Sequence, residues 1–104
     1  MTLLQYPSKT AAETIPLVIN FSDKLQFGET ITGSAVSVSV FSGTDPSPGT
    51  MLGTVTNAST SVTVNITGGI TGNIYLITCL ATASGTHNYS KEGRLAVIAP
   101  GGNY

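Results

Sequence analysis

The sequence predicts an all-β fold, an antiparallel β-sandwich of about seven strands. Three observations carry that prediction. Apolar residues alternate with Thr, Ser and Asn over several short stretches, which is the period of a half-buried strand. Gly, Pro, Asn and Asp return between those stretches about every 8–12 residues, where hairpin turns belong. No stretch longer than a turn carries a helical stripe. A small closed barrel is the alternative arrangement of the same strands.

Taken in order, residues 1–13 show no period. Leu3, Leu4 and Tyr6 precede Pro7, and Ala11 and Ala12 follow. This reads as an extended N-terminal arm whose apolar groups need a surface to pack on. That surface is either the domain's own sheet edge or a neighbouring subunit, since an extended segment can add to an exposed edge strand. A first strand is predicted over Thr14–Phe21, with Leu17, Ile19 and Phe21 on one side and Val18 and Asn20 on the other. Pro16 cannot donate to a ladder, so it belongs at an edge or a bulge. Ser22–Lys24 turns, and Leu25, Gln26 and Phe27 are expected to pack back.

Thr30–Phe41 is the clearest strand, because Val36, Val38 and Val40 alternate with Ser37 and Ser39. Ser42–Gly49 holds Gly43, Asp45, Pro46, Pro48 and Gly49 and reads as a loop. A short strand over Met51–Val55 and a turn over Asn57–Thr60 follow.

The stretch from Val62 to Thr82 organises the rest. Val62, Val64 and Ile66 alternate with polar residues, and Gly68, Gly69 and Gly72 then allow a sharp corner. Ile74–Leu80 is almost wholly apolar, β-branched or aromatic, as expected of a central strand with neighbours on both edges. Ile77 and Cys79 join its core side. Tyr75 stands where the tyrosine corner of an immunoglobulin-like sandwich would sit; it reads equally well as a core tyrosine with its hydroxyl at the rim. A final strand over Lys91–Ile98 contributes Leu95 and Val97. The predicted organisation is an arm over 1–13, an immunoglobulin-like β-sandwich over 14–98 and a flexible, Gly-rich tail over 99–104 that includes Tyr104.

Composition narrows the function classes. The chain has 104 residues, which is one domain. Only 9% of them are charged, against the ~25% usual in soluble domains. A surface so poor in charge protects weakly against association; coverage within an assembly would account for it, and so would a small all-β domain that uses Thr and Ser on its exposed strand faces. The net charge is −1 and the cations are Lys9, Lys24, Lys91 and Arg94, so no basic stripe marks a nucleic-acid site. No basic amphipathic helix marks a membrane surface, and no apolar run nears the ~20 residues of a membrane helix. The first residues lack the pattern of a secretory leader, so folding in a cytoplasm is expected. Cys79 is the one cysteine, which excludes an intramolecular disulfide and a thiolate zinc site within one chain; it reads as a small buried hydrophobe.

Catalytic chemistry is not found. His87 is the one histidine and lies in a Ser/Gly/Asn loop beside no local nucleophile or carboxylate. Glu13, Asp23, Glu29, Asp45 and Glu92 are scattered, with no acid/base pair among them. Gly68–Gly72 lacks the lysine and the following helix of a phosphate loop. Four Asn-X-Ser/Thr triplets, at Asn20, Asn57, Asn65 and Asn88, read as accidents of a Ser/Thr-rich chain. The expectation is a protein without enzyme activity, cofactor or metal.

The order of turn and core motifs resembles a known family. Phe21-Ser22-Asp23-Lys24-Leu25 is followed by Phe27-Gly28-Glu29-Thr30-Ile31, then by Gly68–Thr78 and by Thr82-Ala83-Ser84-Gly85. Together they are similar to the small immunoglobulin-like proteins of tailed bacteriophages that act as fibre–tail adaptors, over about Thr14 to Val97. Thr86 after Ser84-Gly85, and few charges in the last two strands, depart from the family's pattern. The resemblance implies a structural virion protein, assembled in the host cytoplasm, that joins tail or baseplate to fibres through other phage structural proteins, as a homo-oligomeric ring. Leu3, Leu4, Tyr6 and Tyr104 are the residues assigned to such contacts. The alternatives are a capsid decoration protein and a glycan-binding sandwich using Tyr89 and His87, the latter disfavoured by the lack of Trp.

Overall fold

Eight strands and one turn of 3-10 helix make up the computed structural model, which describes residues 4–99. The strands are β1 (Leu4–Gln5), β2 (Lys9–Thr10), β3 (Thr14–Asn20), β4 (Ile31–Ser42), β5 (Leu52–Asn57), β6 (Ser61–Thr67), β7 (Ile74–Ala83) and β8 (Asn88–Ile98). The 3-10 turn is Pro48–Met51, and no α-helix occurs among the described residues. They fold as two sheets packed face to face.

The larger sheet is built on β4, β7 and β8, all antiparallel, with β7 in the centre. The smaller is β3–β6–β5. β3 has a neighbour on one side only, so Pro16 withholds no hydrogen bond that the sheet needs.

The alternation read from the sequence fills the space between the sheets. Leu17, Ile19, Phe21, Val62, Val64 and Ile66 come from the smaller sheet, and Tyr75, Ile77, Cys79, Leu95 and Val97 from the larger; all are buried. Burying a side chain of this size stabilises the fold by about 1.5–3 kcal/mol. Val38 is buried with them, whereas Val36 and Val40 are half-buried and pack on the rim of the core. The physical reason is position. β4 is the outer strand of its sheet, and its register shifts at both ends, between Ile31 and Gly33 and between Val40 and Ser42. Between them Val36 to Val40 keep regular pairing and alternation, so it is the place of β4 at the sheet edge that leaves Val36 and Val40 half-buried.

The N-terminal segment is placed by pairing that carries no local signature. β1 and β2 both run parallel to β8 on the edge opposite β7: Leu4 stands beside Gly93 and Gln5 beside Arg94, then Lys9 beside Val97 and Thr10 beside Ile98. Tyr6 N–H donates to the Arg94 carbonyl at 2.9 Å between the two ladders. Of the two surfaces open to this stretch, residues 4–10 take the domain's own sheet edge. Lys9 is wholly buried, and its ammonium donates to the carbonyls of Gly68 and Thr10. Burial lowers its pKa, against the opposing pull of Glu13.

Lys91 joins the two sheets at one end of the sandwich. Its ammonium donates to the Asn20 carbonyl at 2.6 Å and to Asp23 Oδ1 at 2.7 Å, and lies 5.7 Å from the centre of the Phe21 ring. The hydrogen bond from Lys91 holds the Asp23 carboxyl below its usual value.

Candidate interaction surface

Four parts of the molecule face outward with something to offer a partner: the outer faces of the two sheets, and the two ends of the sandwich. The faces differ in chemistry. On the smaller sheet, Pro16 stands beside Asn65, Val18 beside Thr63 and Thr14 beside Thr67, with the two threonine hydroxyls bonded at 2.9 Å. Apart from Val18 and Pro16 this face is hydroxyl and amide. On the larger sheet the outward residues of β7 are Ile74, Leu76, Thr78, Leu80 and Thr82, since Tyr75, Ile77, Cys79 and Ala81 point inward. Leu76 lies between Ser39 and Arg94, and Leu80 between Ala35 and Ser90. Phe41 at the rim of this sheet has the Arg94 guanidinium 5.3 Å from its ring centre. The result is an apolar stripe edged by Ser39, Ser90 and Arg94, with Thr78, which donates to Glu92 at 3.3 Å, interrupting it between Leu76 and Leu80.

At one end of the sandwich, Tyr75 closes a buried knot. Its hydroxyl accepts the Ile70 N–H at 2.9 Å, is also approached by Asn73 Nδ2 at 3.3 Å, and donates to Asp45 Oδ2 at 2.8 Å. Asn73 Nδ2 in turn donates to the Thr44 carbonyl at 2.9 Å. A tyrosine whose hydroxyl bonds a backbone group a few residues upstream is the tyrosine-corner arrangement. Here the same hydroxyl also fastens the 43–51 loop through Asp45.

The opposite end is built on Glu29. Its Oε1 accepts the Gln26 N–H at 3.0 Å and the Tyr89 hydroxyl at 2.9 Å, and its Oε2 lies 2.8 Å from His87 Nδ1. The backbone bond from Gln26, then the bond from His87, hold the Glu29 carboxyl down to about 2, against burial and with help from Tyr89. Tyr89 is pushed above its ordinary value, first by desolvation and then by the same carboxylate. A Cβ at Gly85 would stand 2.6 Å from Glu29 Oε2, so any larger residue there would make the carboxylate shift. The loops over 26–29 and 84–87 enclose a shallow, open hollow of about 250 Å³ lined by Gln26, Phe27, Gly28, Glu29, Ser84, Gly85 and His87.

This end corrects two sequence expectations. His87 does have a carboxylate beside it, supplied by Glu29 from 58 residues away and therefore invisible as a local motif. Phe27 does not pack back. Leu25 rests against the core, but Phe27 is fully exposed at 108% of its reference area.

The residues assigned to contacts fall in different places. Tyr6 is buried against the chain's own core, which pushes its phenol up to about 12, and its hydroxyl meets no hydrogen-bond partner among the described residues. Leu3 and Tyr104 lie outside the described residues, and of Leu4 only the backbone falls within them. Cys79 is buried under the larger sheet, which pushes its thiol up to about 11. Among the described residues no group of three or more His, Cys, Asp and Glu side chains could hold a metal ion, and no helix is long and apolar enough to cross a membrane.

Over residues 9–96 the sequence matches the family model described as podophage GP4 fiber-tail adaptor protein gp77. No curated protein matches the chain.

Proposed function

The chain belongs to the podophage GP4 fiber-tail adaptor gp77 family, and from that premise we propose how this structural protein of the phage tail makes its contacts. Its role is to join fibres to the tail by protein–protein contact, and such a role requires no catalysis. The contact surface proposed is the outer face of the β4–β7–β8 sheet. The observation that carries it is the stripe of Ile74, Leu76 and Leu80 on that face, set against the threonine and asparagine of the opposite sheet. An apolar stripe with few charges is poorly matched to water and well matched to another protein surface.

The same reading extends to assembly. Copies with a net charge of −1 repel each other weakly, which favours a homo-oligomeric ring built in the host cytoplasm before it joins the virion. Leu3, Leu4 and Tyr104 are proposed as further contacts of that ring, and Tyr6 is withdrawn from the set because it serves the chain's own core. Head decoration and glycan binding have no comparable support. Tyr89 in particular has its hydroxyl committed to Glu29.

The test is genetic and visual. Particles assembled without this chain should carry tails but no fibres under the electron microscope, and adding purified protein should restore fibre attachment. Fibres retained on particles that lack the chain would overturn the reading.

A further inference from the structure

We propose that the outer face of the β4–β7–β8 sheet docks on the same face of a second copy of this chain, as a two-fold pair. The proposal rests on the reading that puts the contact surface on this face, and it names the occupant.

The case begins with the register. Val38, Ile77 and Gly93 stand side by side across the three strands, near the middle of the sheet. Val38 and Ile77 point inward there. The next row on one side is Ser37, Thr78 and Glu92, and on the other Ser39, Leu76 and Arg94. These rows point outward. Glu92 and Arg94 are therefore an acid and a base on one face, one row to either side of the middle.

Both charges lack an opposite within the chain. Neither forms an ion pair among the described residues. The Arg94 guanidinium lies over the face, 5.3 Å from the centre of the Phe41 ring. Its Nε is buried and meets no hydrogen-bond partner among the described residues. A buried donor without an acceptor is costly, and an incoming carboxylate relieves that cost.

A two-fold axis in the plane of contact, crossing the strands at the Gly93 row, exchanges the rows on its two sides. It sets Arg94 of each copy against Glu92 of the other. The same axis sets Ile74, three rows from the middle, against Leu80, three rows the other way. Leu76 then faces Thr78, and small Ser37 faces small Ser39. One axis thus matches the charges and the apolar groups together, and no like charges oppose each other. That is the self-complementarity an isologous contact requires.

The size of the face favours the same register. β4, β7 and β8 are 12, 10 and 11 residues long. At about 3.3 Å per residue and 4.8 Å per strand they cover roughly 500 Å² in projection. Stable interfaces bury about 600–1,000 Å² of accessible surface on each partner. A stable pair therefore has to use nearly the whole face, which only a register centred near the middle row allows. Such a contact closes on itself, so pairs enter a ring through a contact elsewhere on the chain.

The experiment is sedimentation of the full-length protein up to about 100 µM, a range suited to a small interface. The unsubstituted chain should sediment at twice its 10.6 kDa mass, or at an even multiple of it. Arg94→Glu and Glu92→Arg each set like charges together at two places, and each should weaken pairing by about 100-fold or more. Mixing the two variants puts opposite charges together at both places, so the mixture should pair again. Thermal melts establish that both variants are folded. A chain that stays monomeric, variants that pair as well as the unsubstituted chain, or folded variants that stay apart on mixing each overturn the inference. Restoration of fibres to particles lacking the chain is scored separately. A monomeric chain that restores fibres overturns the pair and leaves the adaptor reading standing. If that chain loses the ability with Leu80→Lys, the face belongs to another tail protein and not to a second copy. Fibres retained without the chain sink the adaptor reading whatever sedimentation shows.

Discussion

The two ends of the sandwich are each tied by a tyrosine hydroxyl and a carboxylate, yet they do different things. At one end Tyr75 is fully buried and its hydroxyl joins Ile70, Asn73 and Asp45. At the other, Tyr89 is half-buried, the carboxylate of Glu29 is the hub, and a histidine and a bare phenylalanine stand at the solvent boundary. The first end is closed and holds the fold. The second is ordered but open, and order without closure is what a surface built for contact needs. The lesson concerns how to read a polar cluster: burial and the identity of the hub separate a structural knot from a display platform more reliably than the residue types do.

Four measurements would break or sharpen this contrast. The largest effect is expected at the closed end, where Tyr75→Ala should destabilise the protein by ~3–5 kcal/mol in denaturant melts. A loss under about 1 kcal/mol would mean that the Tyr75 end is not structural at all. Next, Tyr75→Phe removes only the hydroxyl and leaves the Ile70 N–H and an Asp45 oxygen without it, which should cost about 1–3 kcal/mol. The matched change at the open end, Tyr89→Phe, should cost clearly less in the same melts, because Glu29 keeps the Gln26 N–H and His87. Comparable losses would erase the distinction between the ends.

The third measurement is pH dependence. Glu29 titrates at about 2 in the folded chain against an ordinary 4.5, so the folded state binds fewer protons in between. Its stabilising contribution is therefore complete above about 4.5 and is lost as the pH falls through about 2. Urea melts repeated across that interval should show a slope in the unsubstituted protein that flattens in Glu29→Gln. An unchanged slope would move the acid sensitivity elsewhere, with Asp23 beside Lys91 the next group to test. The smallest effect is on the thiol. Cys79 should react with a thiol reagent at neutral pH only on unfolding, since it is buried and its thiol is pushed up to about 11. Rapid labelling of the native protein would show that the sheet above it opens.

What could be read from the residues alone follows from the range of the signals. Strands β3, β4, β6, β7 and β8 announce themselves because alternation is local, and Tyr75 sits beside the glycine corner that it closes. β1 and β2 do not. Each is two residues long, Pro7 stands between them, and their place on β8 depends on residues at the far end of the chain. Glu29 and His87 fail for the same reason, since nothing near either one marks the other. Phe27 misleads for a different reason. Its neighbour Leu25 does pack inward, and the type II turn at Gly28 then reverses the chain so that the next apolar residue points outward.

The parallel pairing of Leu4 with Gly93 and of Lys9 with Val97 has a consequence for biosynthesis. β1 and β2 are laid against β8, which follows them by about 80 residues, so translation must deliver β8 before Tyr6 and Lys9 can find their places. Until then an apolar segment with a lysine in its middle waits in water, and the outer edge of the nascent sheet is missing. Closure across so much of the chain is a slow step in folding, because the entropy of bringing distant segments together is lost before their contacts form. The outer edge of the domain therefore forms only once β8 has been made, and a ribosome stalled before residue 93 would hold a sandwich whose first strands have nothing to lie against.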